Sequence, residues 1–189
     1  MKRISRHPAC AGFTLVELTI VLVIVGLLIG GLLVPLSAQR ELQDSRETRK
    51  QLSDISEALL GYAASHRAAD DGNPHLPCPD TDGDGFENRA GDACAAPEGR
   101  LPWADLGVGR EDAWGNRFRY RVAPAYSDKR IGFTFDSTAP LRVCENPACT
   151  TVIANGLPAV IVSHGKNGAG AFNASGGTNP PPAGADEIS

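Results

Sequence analysis

The 189-residue chain carries a formal charge of −4, with 21% charged and 42% hydrophobic residues, a balance that excludes a disordered polyelectrolyte and leaves room for one modest folded domain. Charge is unevenly placed. Residues 1–12 hold Lys2, Arg3 and Arg6 and no acid, so without them the remainder stands at −7, which argues against binding nucleic acid by broad phosphate neutralisation.

The first element is an apolar run. From residue 13 to residue 35 the only ionisable side chain is Glu17, and residues 18–33 are rich in Val, Leu and Ile. As a helix, this length spans most of a bilayer core. A secretory signal has a shorter core followed by a small-residue cleavage site, so the segment reads as an anchor. The basic start keeps the N-terminus in the cytoplasm and sends the rest across. An acid in such a helix costs a few kcal/mol unless it is neutralised or wet, and no Lys, Arg or His lies between His7 and Arg40.

The run Gly12-Phe13-Thr14-Leu15-Val16-Glu17 after a short basic leader resembles the start of type IV prepilins and type II secretion pseudopilins. The resemblance implies cleavage after Gly12 by prepilin peptidase, methylation of the new terminus at Phe13, and pairing of Glu17 with the terminal amine of a neighbouring subunit during assembly. It implies a pilin-like α+β fold, in which a long N-terminal helix, transmembrane in its first half, packs on a C-terminal antiparallel sheet. It also implies a structural rather than enzymatic role. The partners would be other pilin or pseudopilin subunits, prepilin peptidase and an inner-membrane assembly platform. The chain would wait as a single-pass inner-membrane protein with a periplasmic head before entering an extracytoplasmic filament. No nucleic-acid partner is expected, although DNA uptake is among the roles of pilus subunits. The rival from another class is a membrane-anchored, calcium-dependent binding domain that does not polymerise.

Chain order then gives a leader (1–12), an assembly helix (13–35) kinked or unwound at Pro35, and an exported helical half (36–72). In the last, Leu42, Leu52, Ile55, Leu59, Tyr62 and Ala63 share a face and charged residues occupy the others. Turn and breaker residues 70–74 end it.

Residues 73–100 form a Cys-framed acidic loop. Four cysteines lie beyond the anchor, an even number that fits an oxidising compartment, and proximity favours Cys78–Cys94 and Cys144–Cys149 among three possible pairings. Within "CPDTDGDGFEN", Asp80, Asp82 and Asp84 alternate before Gly85 in the manner of a calcium loop, with Asn88 at the ninth position. The twelfth position, an acid in a full EF-hand, is Gly91. Ca²⁺ is therefore one reading, and an Asx-turn loop with solvated acids is the other.

Residues 101–174 alternate in the manner of an antiparallel sheet of about four strands. Phe118, Tyr120 and Val122 alternate with Arg117, Arg119 and Arg121, and Ile131, Phe133 and Phe135 also alternate. Residues 150–154 and 159–163 supply two more strands. "EDAWGNRFRY" (111–120) resembles a stretch of major pseudopilins, and both tryptophans, Trp103 and Trp114, are expected in the core. Adjacent Ser163 and His164 point to opposite strand faces and make no catalytic pair. "VIVSHGKNGAGA" (160–171) lacks a Gly-Lys-Ser/Thr phosphate loop. Residues 175–189 read as a flexible tail.

Overall fold

The computed structural model describes residues 14–146 and 148–181, with side chains outside 30–37. The expectations for Gly12 and Phe13 lie outside the described residues. The chain divides into two compact units, Met1–Gln43 and Asp44–Ser189.

In the first unit a helix, α1 (Leu15–Ser65), begins after Thr14. Every large apolar side chain between positions 15 and 29 is exposed, from Leu15 at 83% to Val25 at 43%. Leu, Val and Ile on all sides are the pattern of a helix buried in lipid or among other helices. Among the described residues, however, no helix is long and apolar enough to cross a membrane. The apolar run read from the sequence extends to residue 35, and its part from residue 30 onward lies outside the described side chains. Leu42, expected on the packed face, is exposed.

In the second unit the remainder of α1 lays Ile55, Leu59, Tyr62 and Ala63 into the core, with Leu52 at its edge. This spacing is the helical repeat expected of one buried stripe. Helix α1 ends at Ser65, seven residues before the boundary set by the breaker residues. The Ser65 hydroxyl donates to the Gly61 and Tyr62 carbonyls, and the His66 ring stacks on Tyr62 with centroids 3.7 Å apart. Residues 67–74 instead close a turn in which the Ala68 N–H donates to the Asn73 carbonyl.

Among the described residues, seven short strands form three antiparallel sheets rather than one sheet of about four. Strands β1 (Arg89–Ala90) and β2 (Ala93–Cys94) make a hairpin. Strands β3 (Glu98–Arg100), β4 (Arg119–Val122) and β7 (Ala159–Val162) form the central sheet in the order β3-β4-β7. Strands β5 (Leu141–Cys144) and β6 (Val152–Leu157) make a second hairpin with an irregular register. Two short helices, α2 (Trp103–Leu106) and α3 (Pro124–Ser127), intervene. Phe118, Tyr120 and Val122 face the core beside Leu76, Leu101 and the α1 stripe.

The alternation at Ile131, Phe133 and Phe135 is not a strand. Asp128 caps a turn by accepting from the Arg130 and Ile131 N–H groups. Gly132 then takes a left-handed φ of 72°, where a Cβ would lie 2.7 Å from Asn73 and Pro74. Strand β3 escapes a sequence reading because Glu-Gly-Arg has no apolar repeat. Its glycine is fixed by packing, since a Cβ on Gly99 would come within 2.6 Å of the Asp80 carbonyl. The segment read as a tail is held as far as it is described. The Asn179 N–H donates to the Ala171 carbonyl, and the Pro180 carbonyl accepts from Gly170.

Candidate functional site

At the start of α1, Thr14 and Glu17 cap each other. The Glu17 N–H donates to the Thr14 hydroxyl (3.3 Å), and the Thr14 N–H donates to Glu17 Oε2 (3.5 Å). This is the reciprocal box that Thr-x-x-Glu forms at helix N-termini, where backbone donors otherwise lack partners and the helix dipole favours an anion. The sequence carries this signal in plain view; charge alone had made Glu17 look unpartnered within its own helix.

The acidic loop is built around Asp80, which is fully buried. Its Oδ1 accepts from the Gly83 N–H (2.5 Å) and its Oδ2 from the Gly85 N–H (2.9 Å). Asp82 Oδ1 accepts from the Asp84 N–H (3.3 Å) and Oδ2 from the Asn88 amide (3.2 Å), while Asp84 Oδ1 accepts from the Phe86 N–H (2.8 Å). The Asp84 N–H first, and the Asn88 amide after it, hold the Asp82 carboxyl below its ordinary pKa. Oxygens of the three aspartates lie within 4.8 Å of one another, about the distance across a calcium ion with ligands near 2.4 Å. Asn88 is hydrogen-bonded within the loop. Its Oδ1 accepts from both the N–H (2.6 Å) and the hydroxyl (2.9 Å) of Thr81, which takes up both lone pairs. The loop therefore folds through its own Asx-type turns. Gly85 passes directly over Trp103, whose ring would stand 2.4 Å from a Cβ there.

A disulfide and a polar network hold the loop. The Cys78–Cys94 disulfide (Cα–Cα 5.2 Å) closes its base; the second pair, Cys144–Cys149, lies 5.0 Å apart in the β5–β6 hairpin. Beneath the loop is a polar network that sequence reasoning missed. Glu87 accepts from Arg89 Nε (2.8 Å) and from the Cys78 N–H (2.8 Å), and Arg89 also donates to the Ser127 carbonyl and toward His75 Nδ1 (3.3 Å). The Glu87 N–H donates to Asp105 (2.7 Å). Burial pushes the Glu87 carboxyl up, but the Arg89 and Cys78 hydrogen bonds outweigh it and leave the pKa lowered. Burial, reinforced by the Arg89 charge, pulls His75 below its ordinary value. Burial and the Glu87 charge push the Tyr62 hydroxyl up to about 12.

The Asp-Ala-Trp-Gly-Asn stretch forms a second hub. Asp112 Oδ1 accepts from the Trp114 and Asn116 N–H groups, and Oδ2 accepts from the Ser163 hydroxyl at 2.7 Å. Asn116 donates to the Gly165 carbonyl and accepts from Asn179, while the Thr48 hydroxyl of α1 accepts from the Ala113 N–H. This hub ties α1, the end of β7 and residues 165–179 together. Neither tryptophan is a core residue; Trp103 packs at the core's edge and Trp114 is half-buried outside it. Ser163 and His164 are not paired, since the His164 ring donates to the Ala169 carbonyl. The arginine stripe is largely neutralised within the head. Arg119 and Arg121 each reach Glu98 at 3.3 Å, Arg117 lies 4.0 Å from Glu111, and Arg100 covers the Phe172 ring.

Residues 8–33 match the family model of the prokaryotic N-terminal methylation motif. Among curated proteins and among solved structures, none matches the chain.

Proposed function

We propose that this chain, whose N-terminal methylation motif is the hallmark of type IV prepilins and pseudopilins, is a structural subunit of a type IV pilus-like filament or a type II secretion pseudopilus. The motif marks it as a substrate of prepilin peptidase that assembles with other pilin-like subunits. The observation that carries the reading is the motif's continuity with a helix whose apolar side chains between positions 15 and 29 are all exposed. Such a surface is stable in lipid before assembly and among neighbouring helices after it, and in both places it is kept from water. Cleavage after Gly12 leaves Phe13 as the first residue and places the new amine four residues before Glu17. The carboxylate that caps its own helix start is then next to the terminus where a second subunit's amine would pair with it. In this reading the leader stays cytoplasmic, the apolar helix resides in the inner membrane and the head is periplasmic.

The test is the mass of the N-terminal peptide from membranes, with and without prepilin peptidase, followed by recovery of the protein in sheared or overproduced filaments. A methylated Phe13 terminus and filament recovery are the expected results. An intact leader in the mature protein would instead favour the membrane-anchored, calcium-dependent binding domain.

Calcium at the acidic loop is a second reading, supported by the convergence of Asp80, Asp82 and Asp84 oxygens within 4.8 Å. Bound there, the ion would neutralise three carboxylates that otherwise repel one another, and so rigidify the head. Calorimetric titration with CaCl₂ of the chelator-treated protein tests it. Heat that Asp82→Asn abolishes supports the site; no heat at millimolar calcium removes it.

A further inference from the structure

Loss of the leader would leave each copy at −7, so copies of the head repel one another unless opposite charges meet at their contacts. Most arginines of the head are already committed internally, through Glu87, Glu98, Glu111 and Asp70. The side chain of Arg142 is among those that make no hydrogen bond or ion pair among the described residues. With Arg121, which shares Glu98 with Arg119, it lines a cavity of about 350 Å³. Pro140, Leu141, Val160 and the Cys144–Cys149 disulfide complete the walls. Two guanidinium groups beside an apolar wall suit a carboxylate carried next to an apolar group.

The same chain displays that chemistry elsewhere on its head. Asp82 and Asp84 are exposed at the tip of the acidic loop, and Phe86, two residues on, is 53% exposed although the ring is apolar. The backbone of this tip is already ordered by its own turns, so docking would require little further ordering.

We propose that the Arg121–Arg142 pocket receives the loop tip of a second copy of the chain, Asp84 against the arginines and Phe86 against the apolar wall. Pocket and tip are different patches of one surface, so the contact is heterologous. Such a contact repeats from copy to copy instead of closing into a dimer, and is open wherever its rotation does not close a ring. The contact rests on the filament reading above, and it adds a polar head-to-head register to the packing of the apolar helices.

The test uses the full-length chain in its membrane, with chelator present to keep the loop free of cations. A photo-crosslinking phenylalanine analogue replaces Phe86 in one preparation and Leu27 in another. The expected result is a dimer adduct from position 86 whose cross-linked peptide falls within residues 140–149 of the other copy. Arg142→Glu should reduce its yield at least fivefold, and adding Asp84→Arg should restore it, which a misfolded variant could not do. Adducts from position 86 to other regions, to lipid or to another protein overturn the contact, as does an undiminished yield in Arg142→Glu. Multimers from position 27 with none from position 86 overturn the pocket alone. Multimers from neither position overturn the filament reading and the contact with it.

Discussion

Thr14 and Glu17 hold the first turn of α1 through two reciprocal hydrogen bonds, at 3.3 and 3.5 Å. The same carboxylate that would meet a neighbouring subunit's amine therefore already has work within its own chain. The two roles separate by substitution. Glu17→Gln keeps an oxygen acceptor for the Thr14 N–H but removes the charge, so leader cleavage should persist while incorporation into filaments falls at least tenfold. Thr14→Val removes the cap, a loss of about 1 kcal/mol at the helix start, and should leave incorporation largely intact. N-terminal mass analysis and the filament-to-membrane ratio read both outcomes.

The Asp112–Ser163 contact at 2.7 Å predicts a structural phenotype where Ser-His adjacency could suggest a catalytic one. Asp112→Ala strands the Trp114 and Asn116 N–H groups and the Ser163 hydroxyl, and should destabilise the head by about 2–4 kcal/mol. Ser163→Ala leaves only half the hub unpaired and should cost about 1–2 kcal/mol. Denaturant titration of the detergent-solubilised chain, followed by tryptophan fluorescence, measures both.

His75 and Glu87 both contribute to the acid sensitivity of the head. His75 has a folded pKa below its ordinary 6.5, so the unfolded chain takes up the proton first and stability falls as pH drops below about 6.5. Glu87, lowered from 4.5, contributes stability that is present above that value and is lost as pH falls through the folded pKa. Both act in the same direction, and the head should be more stable at pH 7 than at pH 5. Replacing His75 with Gln should flatten the upper part of that slope and leave the part below pH 4.5. Melting temperatures measured from pH 4 to 8 give the profile.

The two disulfides should contribute unequally. Cys78–Cys94 spans 16 residues and Cys144–Cys149 only 5. Loop-closure entropy then gives about 3 kcal/mol for the first and about 2 kcal/mol for the second. Cys78 is also fully buried at the base of the acidic loop. The Cys78→Ser/Cys94→Ser pair should lower the melting temperature more than Cys144→Ser/Cys149→Ser, as differential scanning calorimetry would show.

Gly85 tests the loop's shape independently of any ion. Its φ of 94°, and the Trp103 ring 2.4 Å from where a Cβ would stand, leave no room for a side chain. Gly85→Ala should shift the tryptophan emission and weaken the loop, whereas Gly91→Ala, with open space around it, suffers only from its left-handed φ and should cost about 1–2 kcal/mol.

The leader motif, the apolar helix, the buried stripe at Ile55, Leu59 and Tyr62 and both cysteine pairs were legible in the sequence. Each rests on interactions between residues near in the chain or on a helical period. Helix length and strand count were not. Ser65 and His66 end α1 through contacts with Gly61 and Tyr62, while the breaker residues further on serve a turn. The alternation at Ile131, Phe133 and Phe135 lacks a pairing strand because Asp128 and Gly132 turn the chain first.

For the candidate sites the division is the same. Spacing alone brought Asp80, Asp82 and Asp84 together, because a short turn-rich loop cannot keep alternating acids far apart. Only the folded chain engaged Asn88 with Thr81, buried Glu87 against Arg89, joined Asp112 to Ser163 and set Arg121 beside Arg142. Partners separated by up to 51 residues meet only once the sheets and α1 have packed, so the chemistry of those groups is a property of the tertiary structure.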